Sequence, residues 1–346
     1  MYRLRFFTAV FLVATFSNAH TQTLGGNTAY NFLKLPYSTS ITAGGGVNIS
    51  HDAQNVSAAF NNPALLTPSL HTQLALSFTQ LAAGIKSYTL AGAHYSHTLN
   101  TTFGVNLFFI DYGTFDAADA AGNRNGTFRA TDYVVQFSAG RQYLERWQYG
   151  GSVKFIQSSY APYNSSAVAV DVGVRYIDSA NGVSIAMLAK NMGAQLKSYA
   201  GEREELPFDL QFGITKKLAK APLAFSATIQ QAHRFNLFYR DTTFNAENGG
   251  TISGSFANKL LQHVVFATHI FISSQLEATV GYNHLRRSEL SLGTPGNGLS
   301  GFSAGFVARF EKLHISYARS TYQKGIAYNQ LGLNLMLGKL FSAGTF

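Results

Sequence analysis

Several places in the chain carry residue types that do chemistry in other settings. Gly296-Asn297-Gly298-Leu299-Ser300-Gly301 has the glycine spacing that lets a backbone approach a dinucleotide pyrophosphate. That chemistry requires the glycines to follow a strand and open a helix, and these do neither, so a loop is expected. His94-Tyr95-Ser96-His97 offers two imidazoles. On a strand, positions three apart point to opposite faces, so the pair cannot share a metal ion. The remaining histidines are scattered and are expected as isolated side chains. Asp171 and Arg175 lie on one face of a candidate strand, where an ion pair would avoid unpaired buried charge. Glu202-Arg203-Glu204-Glu205 is the densest charge cluster, expected as a solvated loop. Its alternatives are a protein contact or a divalent ion bridging to lipopolysaccharide. There is no Ser-x-x-Lys and no Lys-Thr-Gly, so acyl-serine chemistry has no candidate. No catalytic residue, cofactor or metal site is assigned, and a non-catalytic protein is expected.

The elements around these residues read as strands. From residue 73 onward, about 14 segments of roughly 9–14 residues are separated by turn signals. They fall near 73–81, 85–97, 101–112, 127–141, 147–158, 166–177, 183–191, 206–217, 222–233, 262–272, 275–286, 300–310, 313–322 and 327–340. In the third, Phe103, Val105, Leu107 and Phe109 oppose Thr102, Gly104 and Asn106. In the sixth, Val168, Val170, Val172, Val174 and Tyr176 oppose Ala169, Asp171, Gly173 and Arg175. In the last, Leu331, Leu333, Leu335 and Leu337 oppose Gln330, Gly332 and Asn334. A period of two places each set on one face of a sheet. Short turns alternate with longer connections at 113–126, 192–205, 234–261 and 287–299. Short turns on one side and long loops on the other are the pattern of an outer-membrane barrel. A soluble propeller or sandwich also has many short strands, but it lacks an all-leucine face and this alternation of turn lengths.

Composition agrees. Only 12% of the 346 residues are charged and 14% are aromatic, against a usual charged share of about 25%. Yet mean hydropathy is near zero, and beyond the first residues no run of ~18 apolar residues occurs. Alternating strands produce this combination because apolar and polar residues cancel in any window. Residues 1–19 read as an export signal: Arg3 and Arg5, an apolar run from Phe6 to Phe16, then the small-x-small site Ser17-Asn18-Ala19. With no cysteine, neither a lipoprotein anchor nor a disulfide is expected. The formal charge of +9 is scattered. Nucleic acid is a poor partner for an exported chain, and an anionic lipid or lipopolysaccharide surface a better one. The organisation expected is a signal at 1–19, an N-terminal plug at 20–72 and an all-β transmembrane antiparallel barrel at 73–346. A 14-stranded lumen is too wide for its own side chains to fill, since about 8 strands is the limit for that. A plug inside it accounts for the apolar Phe32, Leu33, Leu35, Phe60, Leu65 and Leu66.

Within that N-terminal stretch the order is specific. Asn31-Phe32-Leu33-Lys34-Leu35-Pro36 is followed by Ala43-Gly44-Gly45 and by Phe60-Asn61-Asn62-Pro63-Ala64-Leu65-Leu66. This resembles the luminal N-terminal segment of the FadL-like outer-membrane barrels, and within them the type IX secretion branch, where it looks PorQ-like more than PorV-like. The resemblance covers residues 25–85 and is architectural beyond them. It marks Gly44, Gly45, Asn62, Pro63 and Ala64 as the plug motif. It implies an outer-membrane protein that anchors a cell-surface attachment complex, with a soluble surface subunit and PorZ-, PorU- and PorV-like proteins as partners. The loop 234–261 is expected to carry that contact, through Tyr239, Arg240 and Phe244. The wider superfamily implies an alternative, a diffusion channel for hydrophobic small molecules. That reading needs an apolar path beside the plug and a lateral opening in the wall.

Overall fold

A strand with one aliphatic and one small or polar face needs two different surroundings. Closing the sheet on itself supplies them. The computed structural model describes residues 28–118, 123–199, 201–237, 255–289, 298–323 and 326–340. In it β1 (Gln73–Gln80), β2 (Lys86–Ser96), β3 (Thr101–Ala118), β4 (Arg124–Tyr143), β5 (Trp147–Tyr160), β6 (Tyr163–Asp178), β7 (Val183–Lys197), β8 (Asp209–Lys217), β9 (Leu223–Ile229), β10 (Val264–Phe271), β11 (Leu276–Asn283), β12 (Phe302–Arg309), β13 (Leu313–Gln323) and β14 (Ile326–Met336) form a closed antiparallel barrel. Each strand pairs with the next. β1 pairs with β14, with Gln73 opposite Met336 and Gln80 opposite Asn329.

The faces follow the alternation. Phe103, Val105 and Leu107 point out of β3, Val170, Val172 and Val174 out of β6, and Leu331 and Leu333 out of β14; all are exposed. Their neighbours Thr102, Asn106, Asp171 and Gln330 point inward and are buried. Tyr143, Trp147 and Tyr149 are exposed beside the turn at 144–146, and Phe78, Tyr88 and Phe109 contact one another towards the opposite end. An outward apolar band between two aromatic girdles is what a bilayer requires of a barrel.

Several boundaries differ from those expected; the strand expected at 275–286, for one, ends at Asn283 and gives way to a helix at His284–Glu289. β3 and β4 run for 18 and 20 residues, where about 9–11 suffice to cross a bilayer. Much of the expected loop 113–126 is therefore a projecting hairpin arm, with a register shift between Asp111 and Thr114. Its Gly, Asp and Ala residues read as loop, but Phe115 and Phe128 pair across it. β7 likewise continues to Lys197, into the expected loop 192–205. At the other extreme β14 ends at Met336 rather than 340. The Leu337 N–H leaves the ladder to bond the Thr72 carbonyl, and residues 337–340 make a helical turn.

Ahead of β1, residues 28–72 run through the inside of the barrel as short helical turns at Asn31–Lys34, Thr39–Ala43, Val56–Ala59, Pro63–Leu65 and Pro68–Leu70. Tyr30, Phe32, Leu33, Tyr37, Val56, Phe60, Leu65 and Leu66 are buried there. They form one cluster with Phe108, Ile110, Val134 and Ile156 of the wall. The lumen is therefore the core of this protein, and its outside is the apolar surface. Replacing outward Leu333 with Arg should lower barrel stability by about 2–4 kcal/mol, whereas Leu333→Phe should change it little. Urea unfolding of the protein refolded in lipid vesicles measures both.

Candidate functional site

The luminal segment approaches the wall more closely than side chains allow. Gly44 and Gly45 lie against Gly281 of β11, where an added Cβ would come within 2.6 Å of the Ala43 carbonyl oxygen and closer still to the Gly44-Gly45 backbone. Gly45 has φ +94°, a conformation that glycine adopts at no steric cost. Its carbonyl accepts from Asn283 Nδ2 at 3.1 Å and from an Arg286 guanidinium N–H at 3.1 Å. On the opposite side, Asn62 caps the turn Pro63–Leu65, its Oδ1 accepting from Ala64 N at 3.0 Å. Pro at the first helical position suits such a turn. Asn62 Nδ2 donates to the Ile49 carbonyl at 2.9 Å, tying the two arms of the segment together. Ala64 is buried, and the Pro63 carbonyl packs onto Gly150 of β5.

Polar wall residues complete the fit. Thr39 Oγ1 donates to Ser316 Oγ at 2.7 Å, Ser184 Oγ to the Ser50 carbonyl at 2.8 Å and Gln136 Nε2 to the Phe60 carbonyl at 3.3 Å. Several buried charges are matched. Lys154 Nζ lies 2.6 Å from Asp171 Oδ2, both fully buried, and donates to Asn191 Oδ1 at 2.8 Å. Arg175 lies 3.6 Å from Asp52 of the segment and bonds Ser184 and Gln148. The expected Asp171–Arg175 pair is thus not formed. Four residues apart on a strand is about 13 Å, so each side chain reaches across to a neighbouring element instead. Lys190 Nζ sits 5.6 Å above the Tyr37 ring. Burial, and then the charge of Asp171, pushes the Tyr37 hydroxyl well above its ordinary range, so it stays neutral.

Two features break the uniform wall. Between the segment and strands β1, β13 and β14 lies a narrow recess with room for little more than a water molecule, lined by Leu35, Pro36, Leu81, Tyr322, Tyr328 and Arg286 together with Thr42, Thr79, Ser87 and Ser320. Tyr322 and Tyr328 stack with ring centroids 3.8 Å apart, and Arg286 lies over Tyr322. Second, β7 outruns its neighbour. Its ladder with β8 stops at Lys190–Asp209, while β7 continues to Lys197 after a register shift opposite Asp171. Leu206 and Pro207 stand beside the uncovered stretch: the Pro207 carbonyl accepts from Asn191 Nδ2 at 3.0 Å, and Leu206 is buried in the luminal apolar cluster. Glu204 N donates to Gln195 Oε1, and the Glu205 carbonyl accepts from Ala29 N. The acidic cluster at 202–205 therefore ties down the start of the luminal segment through its backbone.

The architecture is similar to that of known barrels. The P. putida toluene transporter TodX superposes with a TM-score of 0.50 at 14% identity, covering 87% of this chain and 97% of that one. The TodX monoaromatic hydrocarbon channel in its deltaS2 mutant form gives 0.52 at 13%, covering 87% and 98%. The chain is an outer-membrane β-barrel. At these identities the likeness concerns the fold alone. No family model matches the sequence, and neither does any of the curated proteins compared with it.

Other residues singled out by sequence are dispersed. Tyr239, Arg240 and Phe244 lie outside the described residues, as do Gly296 and Asn297. Gly298–Gly301 forms a turn that opens no helix. His94 and His97 do not meet each other; His94 faces His71 at 5.0 Å and His97 faces Tyr95 at 4.7 Å. His51 and His269, expected as isolated, instead stack at 3.6 Å beside Glu277. No spacing signal joins His51 to the other two, because only the course of the N-terminal segment through the lumen brings it to the β10–β11 hairpin.

Gly150 and Gly151 give a paired test of the close fit. A Cβ at Gly150 would collide with the Pro63 carbonyl, whereas at Gly151 its nearest contact is 3.7 Å away. Gly150→Ala should cost about 1–3 kcal/mol and expose residues 38–66 to protease. Gly151→Ala should do neither, as read by urea unfolding and limited proteolysis.

Proposed function

We propose that this barrel passes small hydrophobic molecules across the outer membrane, along the apolar luminal cluster and out sideways where β7 outruns β8. The observation that carries the reading is Leu206. It belongs to the same buried cluster as Tyr30, Phe32, Leu33 and Phe108, and it stands beside the stretch of wall that lacks a strand partner. An apolar route from the interior to the bilayer at this point would suit a solute that is poorly hydrated and partitions into lipid. The similar barrels are a toluene transporter and a monoaromatic hydrocarbon channel, which makes a monoaromatic hydrocarbon the first probe. No catalytic step is part of this reading.

The closely fitted lumen supports a second reading, in which the barrel is a non-catalytic anchor of the type IX attachment complex. Its partners would be a soluble surface subunit and PorZ-, PorU- and PorV-like proteins, held through the outward loops. Lipopolysaccharide and the outer-membrane lipid would surround it.

Uptake of radiolabelled toluene separates the two. Wild-type protein in the outer membrane should accelerate uptake. Leu206→Asp should reduce that acceleration by at least about tenfold, the order expected when a charge blocks an apolar path, while the barrel stays heat-modifiable on gels. Uptake equal with and without the barrel, together with loss of surface display of secreted proteins when the barrel is removed, would overturn the channel in favour of the anchor.

A further inference from the structure

We propose that His51, His269 and Glu277 form a site for one divalent transition-metal ion of the zinc class, joining the luminal segment to the wall. His51 comes from the segment, His269 from β10 and Glu277 from β11, where Phe271 pairs with Glu277 and His269 with Thr279. All three are buried. His51 Nε2 lies 3.1 Å from Glu277 Oε1 and His269 Nδ1 lies 3.4 Å from the same oxygen. The candidate ligand atoms all fall within 4.8 Å of one another. Zinc binds imidazole nitrogen at about 2.0–2.1 Å in tetrahedral geometry, which sets its ligand atoms about 3.4 Å apart. The two nitrogen-to-oxygen distances are therefore already close to the spacing that the ion imposes.

The surroundings suit a metal as well. Two imidazoles and one carboxylate form a donor set that favours zinc, copper, nickel or iron over magnesium or calcium. His269 Nε2 lies 3.0 Å from Ser226 Oγ, which continues to Thr215 Oγ1 and on to Ser50 Oγ. With Nε2–H donating to Ser226, the Nδ1 lone pair faces Glu277. A partner of this kind on the far ring nitrogen is how metal-bound histidines are held. Thr279 Oγ1, 3.1 Å from Nδ1, is the group that an ion would displace from that lone pair. Arg309 bonds the other carboxylate oxygen, Oε2, at 2.5 Å, leaving Oε1 for the ion. Asp52, next to His51, is half exposed, so the cluster lies close to water. The rings stack 3.6 Å apart with planes 14° from parallel, so both nitrogens can bond one ion only when the rings splay apart. The stacked pair is a hydrogen-bonded clasp, and the splayed pair would hold the ion.

Zinc titration of the full chain, folded in detergent and stripped with EDTA, decides between these. Calorimetry should find one ion per chain, and Co²⁺ in its place should give the intense visible absorption of tetrahedral coordination. His51→Ala and Glu277→Gln should each weaken binding by at least about tenfold. His94→Ala, which disrupts the separate His71–His94 contact, should leave it unchanged. The absence of a stoichiometric ion in wild type would overturn the proposal and leave a hydrogen-bonded clasp. So would binding that survives His51→Ala in chain shown to be folded by its heat-modifiable mobility, or binding lost with His94→Ala.

Discussion

The structure rests on backbone-to-backbone approach between a wall and the segment inside it. A barrel of this girth cannot fill itself with its own side chains. Here it is filled by chain, and chain can lie flat against a sheet only where the sheet has no Cβ. Gly150 under the Pro63 carbonyl and Gly281 under Gly44-Gly45 are such places. Interiors pack at the density of organic crystals, so each of these contacts fixes the position of the next. The Asn62 bond to the Ile49 carbonyl then locks the arm that meets β11 to the arm that meets β5.

Charge follows the same logic. A buried ion without a partner would cost several kcal/mol, and the lumen holds several ions. Some are paired within the wall, as Lys154 is with Asp171. Others involve the segment, as Arg175 does through Asp52 and Glu277 does through His51 in addition to Arg309 of the wall. Removing the segment would leave those wall charges short of partners as well as opening the bore. Wall and segment are thus one folding unit, although they are consecutive rather than interleaved in the chain. Where β7 runs on past β8 the closure is of another kind. There the wall is completed by Leu206, Pro207 and side-chain contacts instead of a ladder, and such local closures open more readily than paired strands.

Much of the barrel was legible in the sequence because a period of two is a strong signal wherever one face is uniformly aliphatic. The valines of β6 and the leucines of β14 place every neighbouring residue. The signal fails where residues serve neither face. The arm at 113–126 reads as loop from its Gly, Asp and Ala content, and the end of β14 hides a switch to helix inside a continuing leucine rhythm. The Asp171–Arg175 expectation failed because a shared face is not a shared contact. The motif residues Gly44, Gly45, Asn62, Pro63 and Ala64 stand out by type, but their partners do not. Gly150 and Gly281 look like interruptions of an alternating strand and make sense only once the segment lies on them. The His51–His269–Glu277 cluster is invisible for the same reason, since the β10–β11 hairpin sets His269 near Glu277 but His51 meets them only once the segment lies against that hairpin.

Ion conductance across a planar bilayer tests most directly the claim that the segment is cast into the wall and fills the lumen. Intact protein should insert without opening a steady aqueous current, and a chain lacking residues 38–66, once inserted, should open a large one. A steady porin-like current through the intact protein, or equal conductance with and without those residues, would contradict the account.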